Sequence, residues 1–340
     1  MAKSAVKVNS QQHTNFEDDE GRMELYIWGG GWGLPSIDPE SLQTLAAVRF
    51  AGAPTTITEC NNPWKSPKGV IPFFKQSNAM SIFSAHDVGL YLRSKNFSGD
   101  YGLTSIQCAE TVAYGQLIWE SLQVAYQYYF WIHENNYSEI IRPFYGRRLP
   151  WLYKLWYPER LRNQAKQVVI SQYRDAEDQP QAVEQFVLDK AKKCIIDLSQ
   201  KLGQNEFFMA TSSPTTMDAI VFSYLAVFWK VKLPHNPLKE IITSNANLER
   251  YLARVLQRYF PAAPGRSPAL VSSSTLVYGD DGEVIMKPTQ EEESFSFKQK
   301  LGAGLIATIV MFLYALKNGI VRLPAIMDSS HADDDEDYWE

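Results

Sequence analysis

Near Thr104 the chain changes character, and this limits the folds open to it more than any single motif. Before that point, short β-branched and aromatic runs alternate with well-marked helices. Glu24-Leu-Tyr-Ile-Trp28 reads as a strand, followed by a glycine-rich turn, Gly29 to Ser36. Asp38 as N-cap, Pro39 at the first helical position and Glu40 in the first turn open a helix to about Phe50, stopped at Gly52. Thr55-Thr-Ile-Thr-Glu59 is a second strand, so the unit is β-α-β. Lys68 to Lys75 reads as a third strand interrupted by Pro72. A proline there needs an edge, a bulge or a cis bond. A helix around Ala85–Leu92 ends this part near Asn96.

From Thr104 onward the chain reads as long helices. Thr104 and Gln107 fit a capping box, and the helix they open is aromatic through Trp131. Arg142 to Arg162 is basic and aromatic, broken by Pro143, Pro150 and Pro158. It is either a docking surface for a bilayer interface or partner, or a proline-broken loop tucking its aromatics inward. A charged connection spans about Asp175–Gln181. Val183, Phe186, Val187, Ala191, Cys194, Ile195, Leu198 and Leu202 then recur at helical spacing, with Gly203 as the stop. Thr215-Thr-Met-Asp218 starts another helix, and a last one covers about Asn247–Tyr259. Residues 263–297 read as a linker.

Near the C-terminus, Leu301 to Val321 is predominantly apolar, with Leu301, Leu305, Ile306, Ile309, Val310, Phe312, Leu313 and Leu316 its main side chains. Twenty-one helical residues rise about 32 Å, against a hydrocarbon core of roughly 30 Å. Lys298, Lys300, Lys317 and Arg322 flank or close the run. A buried helix of a soluble core is the alternative; the expectation is a single transmembrane tail anchor over 301–321, with membrane lipid as a partner. The formal charge of −5 comes from two acidic runs, Glu17 to Glu20 and the tail from Asp333, leaving the rest mildly basic. Nothing in that balance argues for nucleic acid. Residues 1–22 and 323–340 read as an acidic, disordered extension and an acidic tail. Cys60, Cys108 and Cys194, like the five histidines, are scattered. They make neither a disulfide framework nor a metal pattern.

This layout resembles the glutathione-transferase fold. The fold class expected is α+β followed by all-α: a thioredoxin-like domain over 23–97 and a helical domain over 103–262, then the anchor. Two features carry the likeness. Ile71-Pro72 stands where thioredoxin-like domains place a cis-proline, and Thr215 with Asp218 matches the capping box of the helical half. A transferase must lower a thiol's pKa with a donor just after the first strand, where Tyr26 and Ser36 are the candidates. The acidic-Ser pair that would hold glutathione is replaced by Ser84-Ala85. Buried groups left unpaired by that loss would cost ~1–3 kcal/mol each. Gly29 to Gly33 lacks the third glycine and the lysine of a phosphate loop, and reads instead as a turn letting Trp32 pack on the sheet.

Trp28-Gly-Gly-Gly-Trp-Gly-Leu-Pro-Ser-Ile37, Arg49 to Pro54, Asn62-Pro-Trp-Lys-Ser-Pro67, Phe130-Trp131 and Asp218 to Ala226 resemble the metaxin family over about residues 23–262. The resemblance implies a non-enzymatic body without catalytic residues, cofactor or metal, on the cytosolic face of the mitochondrial outer membrane. It implies work in protein import and in the sorting and assembly of outer-membrane β-barrel proteins, beside a second metaxin and the barrel-assembly subunit. Attachment of mitochondria to motor adaptors is a further role linked to the family. A membrane-tethered glutathione-dependent transferase is the rival. Trp32, Trp64, Trp151 and Trp156 are the candidate partner-binding residues.

Overall fold

The computed structural model describes residues 23–76, 80–173, 180–261, 275–278 and 284–287. The expected anchor over 301–321, the extension 1–22 and the tail 323–340 lie outside the described residues. Among the described residues no helix is long and apolar enough to cross a membrane. The described residues all belong to one unit, Met1–Thr289.

A mixed sheet begins with β1 (Met23–Ile27), whose alternation buries Met23, Leu25 and Ile27. It pairs parallel with β2 (Thr55–Glu59) and antiparallel with β3 (Phe73–Gln76), which pairs with β4 (Met80–Ile82). The Ile71–Pro72 bond is cis, and pairing of β3 starts only at Phe73, so the proline stays outside the ladder. Segment 263–297, read as a linker, instead contains β5 (Thr275–Tyr278) and β6 (Val284–Lys287). These form an antiparallel pair laid on β2, with Ile57 opposite Leu276. The order is β4-β3-β1-β2-β5-β6. An unpaired β2 edge would leave backbone donors and acceptors open, which is the physical reason a linker is recruited to it.

Helix α1 (Pro39–Phe50) links β1 to β2. The Asp38 side chain accepts from Ser41 N at 2.8 Å, and Pro39 stands at the first turn. After α2 (Ala85–Ser94), the helical half opens with α3 (Ser105–Ile118), whose Thr104–Gln107 capping box is complete. The helix then runs on through π-helical turns at Trp119–Gln123 and Gln127–Ile132, and another π turn at Tyr137–Ile141 leads into α4 (Arg142–Arg148).

Of the three prolines expected to break this section, Pro150 stands between two helices as expected, whereas Pro143 and Pro158 lie within helices. Pro143 lies in the first turn of α4, in a helical run continued from the preceding π turn, and Pro158 lies inside α5 (Tyr153–Gln172). Burial of Tyr153, Tyr157 and Pro158 outweighs the lost helix bond. Then come α6 (Pro180–Leu202), ended by Gly203 at φ +53°, α7 (Thr216–Lys230), α8 (Pro237–Ser244) and α9 (Ala246–Tyr259).

Asp218 ties this half together. Its carboxylate accepts from Phe208 N at 3.1 Å, Thr215 N at 2.8 Å and Thr215 Oγ1 at 2.9 Å, and its own carbonyl accepts from Tyr251 Oη at 3.1 Å. Burial raises its pKa, and the same hydrogen bonds pull it back. Asp218→Ala strands two buried N–H groups and should lower unfolding free energy by about 2–4 kcal/mol, read as a fall in the urea midpoint.

Candidate functional site

The cleft between the two halves is where a transferase-like body would do chemistry. It holds about 440 Å³, lined by Asp38, Glu40, Ser84 and His86 from one side and by Trp119, Gln123, Tyr126 and Tyr224 from the other. The two candidate thiol donors do not line it. Ser36 is wholly buried and its Oγ accepts from Asp38 N at 3.2 Å. The Tyr26 ring stacks on Phe73 at 4.4 Å and its hydroxyl donates to Glu24 at 2.8 Å. Ser84 caps α2 without a side-chain hydrogen bond, and Ala85 beside it is buried.

Carboxyl groups stand at the α1 N-terminus instead. Asp38 already fills the capping position, so the helix end has an internal anion. Burial pushes Asp38 up to about 6, partly offset by its hydrogen bonds to Ser41. Glu40 stays in contact with water at the cleft mouth, where desolvation by the surrounding walls and then the Asp38 charge push it up to about 7. A thiolate or a glutathione carboxylate arriving here meets like charge at neutral pH. The sequence marked Asp38 and Glu40 only as a helix start. Their place at the junction depends on the packing of the helical half.

The glycine-rich turn binds protein rather than phosphate. Gly31 N and Leu34 O bond at 3.1 Å and the reverse pair at 2.9 Å, so these amides are consumed within the turn. A side chain at Gly31 would meet the Phe144 ring at 2.8 Å, which is why α4 can lie so close. Trp32, expected on the sheet, stacks on Phe144 at 5.1 Å, and Arg148 lies 3.6 Å over that same ring while donating to Gly30 O at 2.9 Å. Trp32 therefore fastens the two halves.

Of the remaining candidate tryptophans, Trp64 and Trp156 meet around Tyr153. Asn62 accepts from Trp64 N at 3.0 Å and holds a short 3-10 turn that presents Trp64. Its ring meets Tyr153 edge-on at 5.1 Å, and Tyr153 lies 5.2 Å from Trp156. Inward, Tyr153 touches Tyr157, and Tyr157 lies 6.0 Å from buried Trp28. This aromatic column runs from core to solvent, where Trp64 is 60% exposed and Trp156 48%; Trp151 at 56% and Leu155 at 75% are exposed beside Trp156 in sequence. Leu155 and Tyr153 were missed in the sequence, although their helical spacing to Trp151 and Trp156 marks one face each. The Arg142–Arg162 section thus divides: Phe144, Tyr145, Tyr153 and Tyr157 pack inward, and Trp151, Leu155 and Trp156 face water.

The raised carboxyls have a consequence for stability. A folded state that binds these protons more tightly than the unfolded chain is most favoured below the ordinary carboxylate range, and loses that advantage as pH rises towards about 7. Glu40→Gln should melt a few degrees higher than the parent at about pH 8 and match it at about pH 4, in thermal scans followed by circular dichroism.

Residues 41–162 match the family described as outer mitochondrial membrane transport complex protein, and residues 191–255 match the glutathione S-transferase C-terminal domain. Bovine metaxin-1 is 32% identical over 326 residues, covering 93% of this chain and 98% of that protein. Xenopus laevis metaxin-3 is 32% identical over 239 residues, covering 70% and 77%. Among solved structures, a Ceriporiopsis subvermispora glutathione S-transferase in complex with glutathione aligns at TM-score 0.49 and 12% identity, over 72% of this chain and all of that one. The fold is glutathione-transferase-like, of mixed α and β structure and mostly helical, and the chain belongs to the metaxin family.

Proposed function

We propose that this protein is a non-enzymatic subunit of the mitochondrial outer-membrane protein import and β-barrel sorting and assembly machinery, its transferase-like body serving as a docking module. The observation that carries this is one of position. The exposed aromatics Trp64, Trp151 and Trp156 all fall within the segment matching the outer mitochondrial membrane transport complex family. Large aromatics with polar tips are favoured where protein surfaces associate, because they bury much area at small entropic cost.

In this reading a second metaxin and the barrel-assembly subunit are the partners. The body faces the cytosol and the 301–321 segment anchors it in the outer membrane. The thioredoxin-like part, 23–97, and the helical part, 103–262, act as one scaffold: Trp28 meets Tyr145 edge-on at 5.2 Å, and Thr216 N donates to Asp100 at 2.9 Å. Neither hydroxyl candidate lines the cleft, and carboxyls occupy its helix N-terminus, which supports a binding role over transferase chemistry.

Two experiments test this. A Trp64→Ala/Trp156→Ala variant purified from detergent-solubilised mitochondria should lose co-purifying outer-membrane partners, at a cost of about 2 kcal/mol or more in affinity, with its melting temperature nearly unchanged. Retention of the full partner set would move the docking surface elsewhere. Isothermal titration of the protein with glutathione should show no saturable heat. Micromolar binding would overturn the non-enzymatic assignment.

A further inference from the structure

The histidines are scattered in the sequence, yet the fold gathers two of them around a glutamate. His133 follows the π turn Gln127–Ile132, Glu184 lies on α6, and His235 lies in the connection from α7 to α8. One donor atom from each lies within 4.8 Å of the other two. His235 Nε2 is 2.7 Å from Glu184 Oε1, and the two imidazole rings stack at 4.7 Å with 15° between planes.

An ordinary ion pair between His235 and Glu184 leaves part of this spot unexplained. His133 Nδ1 and the Tyr129 hydroxyl are both buried without a hydrogen-bond partner, and the Glu184 charge acts on Tyr129. Buried polar atoms are nearly always paired, so two orphans at one place mark a missing ligand. The surroundings are also built to hold the donors. Wholly buried Asn136 accepts from His235 N at 2.9 Å and donates to His235 O at 2.7 Å, which fixes that loop residue at its backbone. Tyr128 Oη donates to Glu184 Oε2 at 3.3 Å and leaves Oε1 to the site. Outer hydrogen bonds of this kind orient ligands in metal centres.

We propose that His133, Glu184 and His235 bind a divalent transition-metal ion, with zinc best suited to two imidazoles and one carboxylate, and a fourth position left for water. Nearly parallel rings carry their lone pairs side by side. His235, the exposed member, must tilt to aim its nitrogen at a shared ion, exchanging its hydrogen bond with Glu184 for a common metal. The ion then cross-links the end of the π-helical run, α6 and the α7–α8 connection.

The test uses untagged full-length protein in detergent, stripped with a chelator and titrated with zinc chloride by calorimetry, with cobalt(II) absorption as a probe of coordination. One zinc per chain is expected, with an intense visible cobalt spectrum and a rise in melting temperature. Glu184→Gln should weaken zinc binding about tenfold or more, as should His235→Phe, which retains a ring to stack on His133. His86→Ala should bind as the parent does. Absence of saturable zinc uptake, or equal uptake in the parent and in both ligand variants, overturns the site.

Discussion

The structure depends on α1 being buried from two sides. One side of this helix lies on the sheet and the other against α7, so Leu42, Leu45, Ala46 and Val48 are almost wholly inaccessible, and Ser41 and Thr44 are buried with them. Polar side chains can be enclosed only if paired. Ser41 Oγ accepts from Trp28 N at 3.3 Å, and Thr44 Oγ1 donates to Glu40 O at 2.8 Å. Helix α7 is the counterpart, apolar nearly all round, with Met217 to Phe228 buried apart from Ile220. The sheet half and the helical half consequently share one core. Everything at their junction inherits its position from that packing.

Two functional features follow. The N-terminus of α1 is held at the cleft, so Asp38 and Glu40 line it. The aromatic column from Trp28 through Tyr157 and Tyr153 to Trp64 and Trp156 uses the same junction, joining a turn of the sheet half to α5. The exposed rings of Trp64 and Trp156 are held by the packed ring of Tyr153 beneath them. The π-helical turns add to this: Trp119 and Gln123 line the cleft, and His133 follows the second such turn. Each π turn inserts an extra residue and re-aims the side chains after it.

Much of the fold was legible locally. Asp38-Pro39, Thr104 with Gln107, and Thr215 with Asp218 each mark a helix start through a side chain that satisfies free backbone donors, and helices begin at those places. The apolar spacing from Val183 to Leu202 maps onto the buried face of α6, with Phe186 only partly covered. Helix α8 went unread although Asn236-Pro237 is a sound start signal, because eight residues are too few for a periodic pattern to stand out. Pro158 and Trp32 were misread for the opposite reason. Local rules favour a break and a sheet contact, and packing against distant residues overrides both.

By itself, then, the sequence determined the order of most elements, the helix caps and the switch from strands to helices near Thr104. These are properties of neighbouring residues and can be read from a few turns of chain. Only the tertiary structure decided that Trp64 and Trp156 both meet Tyr153, that carboxyls line the cleft, that residues 275–278 and 284–287 extend the sheet, and that His133, Glu184 and His235 meet. Each of those depends on contacts between residues tens to hundreds of positions apart. No local periodicity encodes such contacts; they are selected by how the two halves close around α1.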